Sequence, residues 1–100
     1  MLSDQEIQSL LQSKKAYLRE KYGVKRIGLF GSFARGEGEP ASDIDLLVVF
    51  DHPIGLEVMA LTDELEALLG RKVEILTPVG LENIRVDEIR EDIQREVVYV

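Results

Sequence analysis

Apolar and polar residues along the chain follow two different periods. Over 7–18, apolar residues recur every three or four positions, which is typical of a helix with one buried face. The runs at 24–30 and 44–50 are instead short, apolar and rich in branched residues, so both predict buried strands. A second helical pattern covers 56–69, and a third strand is predicted over 73–77. This order of elements predicts an α/β (α+β) fold in which helices cover a small sheet.

The first predicted helix has clear signals at both ends. The segment Ser3–Glu6 is a capping box, in which the serine and the glutamate each accept a hydrogen bond from the other's backbone amide. Leu2 and Ile7 stand where a hydrophobic staple would place them. Gly23 is expected to close the helix as a left-handed cap. These signals predict a helix over 3–22.

The last third of the chain allows two interpretations. Charged residues on one side of a helical pattern predict a solvated face. The apolar residues of the other side form one stripe: Val86, Ile89, Ile93 and Val97. Residues 97–100 either finish that helix or form a short extended tail. Because these four residues are mostly apolar, we expect them to pack on this domain or on another chain.

Two acidic residues stand at the head of the second predicted strand. Asp43 and Asp45 are two apart, and a strand repeats every two residues, so both carboxylates are expected on one face and Ile44 on the other. Two like charges this close repel, which raises the pKa of one of them unless a cation lies between them. Hard oxygen ligands at this spacing suit Mg²⁺, which also binds the phosphates of nucleotides.

A glycine and a serine follow directly after the first predicted strand. Gly31 permits a tight turn and a close approach of the backbone to a ligand. Ser32 offers a hydroxyl and a cap to a helical turn that runs through Arg35. Free amide groups at the start of such a turn form a binding site for anions. The segment therefore predicts a phosphate site beside the carboxylate pair.

These residues also have purely structural interpretations. The pair Gly31-Ser32 alone is typical of an ordinary strand-to-helix turn, and Asp43 alone is typical of a cap. Arg35 either contacts the phosphates of a nucleotide or a second substrate that accepts a group from it, or it forms a surface salt bridge with Glu37 or Glu39. The combination of both motifs between two strands favours binding of a metal and a nucleotide.

Composition narrows the class of protein. One hundred residues predict one small domain over 1–100, with room for a single core but not for a second, acceptor-binding domain. The chain has no cysteine, which excludes disulfides and thiolate metal sites. Its net charge of -7 argues against a surface that holds nucleic acid by itself. No segment has the apolar length of a membrane span or the pattern of a signal peptide, so we expect a cytoplasmic protein.

The spacing of the two motifs resembles that of a known family. Gly31-Ser32, ten residues, and then Asp43-x-Asp45 is similar to the signature of the polymerase-β-like nucleotidyltransferase superfamily. The fuller string GSFARG…SDIDLLV resembles its minimal branch, the MNT domains, and so do the segments 72–78 and 95–100. The resemblance covers nearly the whole chain and implies the polymerase-β-like nucleotidyltransferase fold, with a small mixed β-sheet packed by helices.

The resemblance also implies a third carboxylate on the third strand. Glu74 occupies the place where the family more often has Asp, and its extra methylene moves the charge outward by roughly 1.5 Å. Asp43, Asp45 and Glu74 are then expected to be the catalytic residues and to hold two Mg²⁺ ions. The expected nucleotide-binding residues are Gly31, Ser32 and Arg35. Glu74 has an alternative interpretation as an exposed residue of an edge strand.

The activity implied by the resemblance is transfer of AMP from ATP to a hydroxyl group. The resemblance points to a separately encoded all-helical HEPN protein, often a toxin, as the partner. The MNT protein acts as its antitoxin, in characterised cases by adding AMP units to a tyrosine of that partner. Two alternatives remain open. In the first alternative, the chain is a non-catalytic module that neutralises a HEPN partner by contact alone. In the second, it is a stand-alone transferase that acts on a small molecule or an RNA end.

Overall fold

The computed structural model of the protein describes residues 3–39 and 42–100. Its elements in chain order are α1 (Asp4–Tyr22), β1 (Val24–Phe30), β2 (Ile44–Phe50), α2 (Glu57–Leu69), β3 (Val73–Leu76), α3 (Pro78–Glu82), α4 (Asp87–Glu96) and β4 (Val98–Tyr99). The strands form one sheet in the order β3-β2-β1-β4. Strand β1 runs antiparallel to β2 and β4, whereas β2 and β3 are parallel, which confirms the predicted small mixed sheet.

Helix α1 has both of its predicted end signals. The Ser3 hydroxyl accepts a hydrogen bond from the Glu6 amide at 3.1 Å, and the Glu6 carboxylate accepts one from the Ser3 amide at 3.3 Å. Gly23 ends the helix with a φ of 71°, a conformation that favours glycine. The predicted staple involves Leu2, which lies outside the described residues.

One face of the sheet, here called the helix face, packs against α1 and α2. Its side chains form the main core, in which the largest members are completely buried. The strands and helices contribute Ile7, Leu11, Ile27, Leu29, Ile44, Leu46, Val48, Leu61 and Leu65. Each such side chain stabilises the fold by roughly 1.5–3 kcal/mol relative to exposure in water. In the part of the chain that is described, no helix has the length and apolar content needed to span a membrane.

The opposite face, here called the carboxylate face, carries Asp45 and Glu74. A smaller apolar cluster covers the rest of this face, where α3 and α4 pack on the sheet. The cluster consists of Phe30, Leu47, Leu76, Leu81, Ile84, Ile93 and Val97. Because α3 and α4 cover only this apolar part, the start of β2 remains partly open to solvent.

Three boundaries differ from the predicted ones, and the first is that α1 begins at Asp4, one residue later than predicted. Directly after the third strand, Pro78 begins the short helix α3, which the sequence interpretation missed. The Thr77 hydroxyl caps this helix by accepting a hydrogen bond from the Gly80 amide, so β3 ends at Leu76. A proline is as well suited to the first turn of a helix as to the end of a strand. Helix α2 begins at Glu57, one residue later than predicted.

The C-terminal residues adopt the second of the two predicted conformations. Val98 and Tyr99 form the edge strand β4, and the Val100 amide donates a hydrogen bond to the Ile27 carbonyl at 3.0 Å. Gly28 makes this approach possible, because a Cβ at this position would lie 2.5 Å from Cγ2 of Val97. Residues 97–100 therefore pack on this domain, which was one of the two expected packing partners.

The apolar stripe of the last predicted helix is buried only in part. Ile93 is buried, whereas Val86 and Ile89 are about half exposed. The helix itself is confirmed as α4, but its stripe extends beyond the small cluster on the carboxylate face.

Candidate active site

The chain makes a hydrogen-bonded turn directly after β1, over 31–36. The Arg35 amide donates to the Gly31 carbonyl at 3.2 Å, and the Glu37 amide donates to the Ser32 carbonyl at 2.8 Å. Phe33 is buried in the core and anchors the middle of the turn. The predicted helical turn is therefore present as a series of tight turns and not as a regular helix.

The amides at the start of this turn are available to a ligand. Within residues 3–39 and 42–100, no group accepts a hydrogen bond from the amide of Ser32 or of Phe33. Consecutive amides in a turn form a concave site that attracts anions such as phosphate. The turn thus has the groups that the sequence predicted for a phosphate site.

Gly31 brings the turn and the carboxylate face together. Its φ is 78°, in the left-handed region, and a Cβ at this position would overlap Oδ2 of Asp45. The Asp45 carboxylate therefore lies directly against the backbone of the turn. The sheet register explains this contact, because Phe30 on β1 is the Cα partner of Asp45 on β2.

Asp45 lies in a cluster of acidic residues at the head of β2. Its Cα partner on β3 is Glu74, and Asp43 precedes it by two residues. The pKa of Asp45 is raised to about 6, first because half-burial disfavours the charged carboxylate and then because the negative charges of Glu74 and Asp43 repel it. The positive charge of Arg35 opposes these effects in part. The structure therefore brings these predicted site residues within electrostatic range of one another.

These carboxylates suit an open site for a hard divalent cation better than a site in which protein side chains supply every ligand. In the described part of the chain, no three His, Cys, Asp or Glu side chains are arranged closely enough to hold a metal ion by themselves. A carboxylate whose pKa is raised by burial and by like charges lacks a counter-charge, which a cation would supply. Mg²⁺ usually binds one or two carboxylates and completes its shell with waters and substrate phosphates, so Asp45 and its neighbours fit it.

Glu74 has the position expected from both of its interpretations. It is exposed on β3, which is an edge strand of the sheet. It is also the residue whose charge raises the pKa of Asp45 more than that of any other side chain. Glu74 thus lies beside Asp45, but Asp43, Asp45 and Glu74 do not form a group of three that could hold a metal ion, and its role as a third ligand stays a prediction.

Arg35 is held by two carboxylates. Its Nε donates to Oε2 of Glu37 at 3.0 Å, which confirms one of the predicted salt bridges. Its Nη1 donates to Oε2 of Glu96 at 2.7 Å, a contact that the sequence interpretation missed. The two residues are 61 positions apart, and no local pattern links them. These carboxylates, Glu96 foremost, raise the pKa of Arg35.

Arg71 supports the segment that leads into the acidic cluster. Its guanidinium donates to the Ser42 carbonyl at 2.7 Å and to the Glu39 carbonyl at 2.7 Å, and it lies 5.0 Å from the centre of the Phe33 ring. One side chain thus connects the phosphate-site turn to the residue before Asp43. No sequence pattern predicts this role, because these two contacts are made to backbone carbonyls.

The fold and this site are those of one class of protein, and comparison with known proteins identifies that class. A family model described as a nucleotidyltransferase domain matches residues 11–100. The chain belongs to this family and is an enzyme of the nucleotidyltransferase class. A solved structure of a proposed minimal nucleotidyltransferase is 36% identical, with a TM-score of 0.68 and coverage of 92% of this chain and 93% of that chain. The fold is therefore that of the minimal nucleotidyltransferases.

Curated relatives resemble the chain over nearly its whole length. The protein adenylyltransferase MntA of Thermococcus cleftensis is 44% identical over 101 residues, which cover 100% of this chain and 98% of the relative. A proposed protein adenylyltransferase of Methanocaldococcus jannaschii is 40% identical and covers 95% of each chain.

More distant solved structures share the fold. One is a toxin–antitoxin complex with AMP-PNP, at 20% identity and a TM-score of 0.63, which covers 98% of this chain and 72% of that chain. Another is the MntA–HepT toxin–antitoxin complex, at 18% identity and a TM-score of 0.59, which covers 92% of this chain and 69% of that chain.

Proposed function

We propose that this protein transfers AMP from ATP to a hydroxyl group of a partner protein, and that the acceptor is a tyrosine of a HEPN-domain toxin. The protein would then act as an antitoxin in the cytoplasm, where ATP is supplied. The observation that carries the proposal is the contact between Gly31 and the Asp45 carboxylate, because it joins a phosphate site to an acidic cluster. The names of the curated relatives and the toxin–antitoxin complexes of the fold neighbours support the choice of acceptor.

Each part of the site has a separate task in this reaction. The amides of Ser32 and Phe33, together with the Arg35 guanidinium, bind the triphosphate of ATP. Asp45, with Asp43 or Glu74 as a second carboxylate, would hold Mg²⁺ together with waters and the phosphates of ATP. The bound ion would neutralise phosphate charge and lower the pKa of the acceptor hydroxyl. Positioning and electrostatic stabilisation then account for most of the catalysis.

The transfer itself exchanges a phosphoanhydride bond of ATP for a phosphate ester bond to the acceptor. The acceptor oxygen attacks the α-phosphorus of ATP, the bond to the bridging oxygen breaks, and pyrophosphate leaves. The proton of the acceptor hydroxyl passes to the acidic cluster on the carboxylate face.

The test is transfer of radioactivity from α-labelled ATP. The protein is isolated from its native cell with any co-purifying partner and is incubated with Mg²⁺ and the labelled nucleotide. We expect label on the partner and an added mass of one or more AMP units at a tyrosine. Asp43→Asn with Asp45→Asn should abolish the label, whereas Asp63→Asn, an exposed residue of α2, should not.

The same experiment separates the two alternatives. If the variant with both Asp43→Asn and Asp45→Asn transfers no label but still neutralises its partner, the protein acts by contact alone. The proposed transfer is then wrong. If label appears on RNA or on a small molecule without any partner, the enzyme is a stand-alone transferase. Absence of label on any molecule in the native complex would contradict the proposed catalysis.

A further inference from the structure

The guanidinium of Arg35 is held at the edge of the phosphate-site turn by two acidic side chains of different exposure. The Glu37 side chain is 65% exposed, whereas the Glu96 side chain is 20% exposed. Ion pairs that are exposed are screened by water and contribute little, and screening falls as a pair becomes buried. Glu96, which also makes the shorter contact at 2.7 Å, is therefore the partner that determines where Arg35 lies.

The position of Glu96 follows from the C-terminal elements. It is the last residue of α4, and β4 begins two residues later. Val98 on β4 is paired with Leu29 on β1, close to the turn that contains Arg35. This pairing fixes the end of α4 beside the turn. An acidic side chain at the C-terminal end of a helix is unfavourable, since the helix dipole is negative there, and the Arg35 guanidinium compensates for it.

Arg35 keeps donors available for a ligand while both acids hold it. Its Nε and Nη1 each donate to a carboxylate, and nowhere in 3–39 or 42–100 does Nη2 find an acceptor. A guanidinium has five N–H donors in a fixed plane, so holding two sides of the plane orients the third. The positive charge also lowers the pKa of Asp45, which shows that Arg35 lies within electrostatic range of the acidic cluster.

We infer that Glu96 is a positioning residue of the nucleotide site, which fixes Arg35 so that its remaining donors bind the phosphates of ATP. This role rests on the proposed function, since it requires ATP in the site. Glu96 itself does not contact the nucleotide. Its contribution is to order a long side chain in advance, so that ATP binding does not have to immobilise it.

The test is a double-mutant cycle on ATP affinity, measured by calorimetry with Mg²⁺ present. Glu96→Gln keeps the size of the side chain and removes its charge, and we expect ATP to bind about threefold to tenfold more weakly, the effect of freeing one ordered side chain. Arg35→Gln should weaken binding by about tenfold or more, because it removes a charge-assisted hydrogen bond. The double variant should bind no more weakly than Arg35→Gln alone, since Glu96 acts only through Arg35.

Three controls distinguish positioning from a merely structural effect. Glu91→Gln changes an exposed acid on the same helix and should leave ATP affinity unchanged. Glu96→Asp keeps the charge and should restore part of the lost affinity. Thermal unfolding of each variant reports stability separately, and a structural role alone would lower the melting temperature without the non-additive pattern in ATP affinity.

The possible outcomes separate this role from the proposed function. If the wild-type protein does not bind ATP, both are wrong. If it binds ATP but Glu96→Gln binds equally well, the positioning role is wrong and the proposed function stands. Tighter binding by Glu96→Gln would also overturn the role, because Glu96 would then withhold Arg35 from the nucleotide. A double variant weaker than Arg35→Gln would show that Glu96 acts independently.

Discussion

The two faces of the sheet show how this chain separates stability from chemistry. On the helix face, β2 contributes Ile44, Leu46 and Val48, which have no exposed surface. On the carboxylate face the same strand contributes Asp45, whose pKa is raised by half-burial and by neighbouring acids. Among the residues described, no polar or charged side chain is fully buried in the core. Because a strand alternates sides, one short sequence supplies both the core and the acidic cluster.

The two faces of the sheet tolerate charge differently. The helix face would leave a charge without water or a partner, which is strongly unfavourable. The carboxylate face retains solvent at the head of β2 and includes the positive charge of Arg35 within range. Substitutions on one face should therefore change stability, and substitutions on the other should change activity.

The largest effect should come from the carboxylate face. We expect Asp45→Asn to reduce AMP transfer by about 1,000-fold, which corresponds to about 4 kcal/mol of transition-state stabilisation. Ionised Asp45 is desolvated and repelled by its neighbours, so the amide should leave the free energy of unfolding at neutral pH unchanged or raise it. Labelled transfer and urea unfolding measure the two quantities. If Asp45→Asn lowered the free energy of unfolding and left AMP transfer intact, Asp45 would have a role in stability and not in catalysis.

The next effect should come from the helix face. Leu46→Ala should reduce the free energy of unfolding by about 2–5 kcal/mol, because it removes buried methyl groups and leaves a cavity. Leu56→Ala is the matched control, since this leucine is 85% exposed and should change stability very little. At a temperature where both variants are folded, the rate of AMP transfer per folded molecule should equal that of the wild type. Loss of transfer in folded Leu46→Ala would break the separation of the two faces.

A smaller effect is expected at the junction of the two faces. Gly31→Ala should cost about 1–2 kcal/mol of stability for its positive φ, and its methyl group would also displace the Asp45 carboxylate and reduce transfer. Gly36→Ala is the matched control, because its φ is also positive but a Cβ there meets no other atom within 4 Å. Both variants should lose stability, and Gly31→Ala should lose much more activity. Equal activity of the two variants would mean that the Asp45 contact is unimportant.

Local signals predicted most of the fold and the composition of the site. The capping box at Ser3–Glu6, the glycine cap at Gly23 and the two periods of apolar residues depend only on neighbours in sequence, and the structure confirms them. The proximity of Gly31 and Asp45 was also predictable, because both lie at the ends of adjacent strands. The roles proposed for these residues stay predictions.

The contacts that the sequence could not predict depend on pairing between residues that are far apart in the chain. The contact between Arg35 and Glu96 exists because β4 pairs with β1, and two residues of strand give too little pattern to predict that pairing. Arg71 binds backbone carbonyls, which carry no side-chain signal. The helix that begins at Pro78 was missed because proline ends strands and begins helices with similar preference.

The smallest effect should appear only in acid, and it concerns the helices that cover the helix face. Glu64 on α2 accepts hydrogen bonds from the Tyr17 hydroxyl at 2.6 Å and from Lys21 at 3.1 Å, both on α1. The Tyr17 hydrogen bond, above all, lowers the pKa of Glu64 from its ordinary value of 4.5 to about 2. A lowered folded-state pKa stabilises the fold above the unfolded value, and this stabilisation is lost as the pH falls from about 4.5 towards 2.

Glu64→Gln should therefore lower the stability slightly at pH 7 and make it less sensitive to pH between about 5 and 2. Urea unfolding at several pH values measures this slope, with Asp63→Asn on the same helix as the control that keeps the wild-type slope. AMP transfer at pH 7 should be unchanged, because Glu64 lies on the covering helices and not on the carboxylate face. A change in transfer, with no change in the acid slope, would place Glu64 among the residues that influence the site and would contradict the division between the two faces.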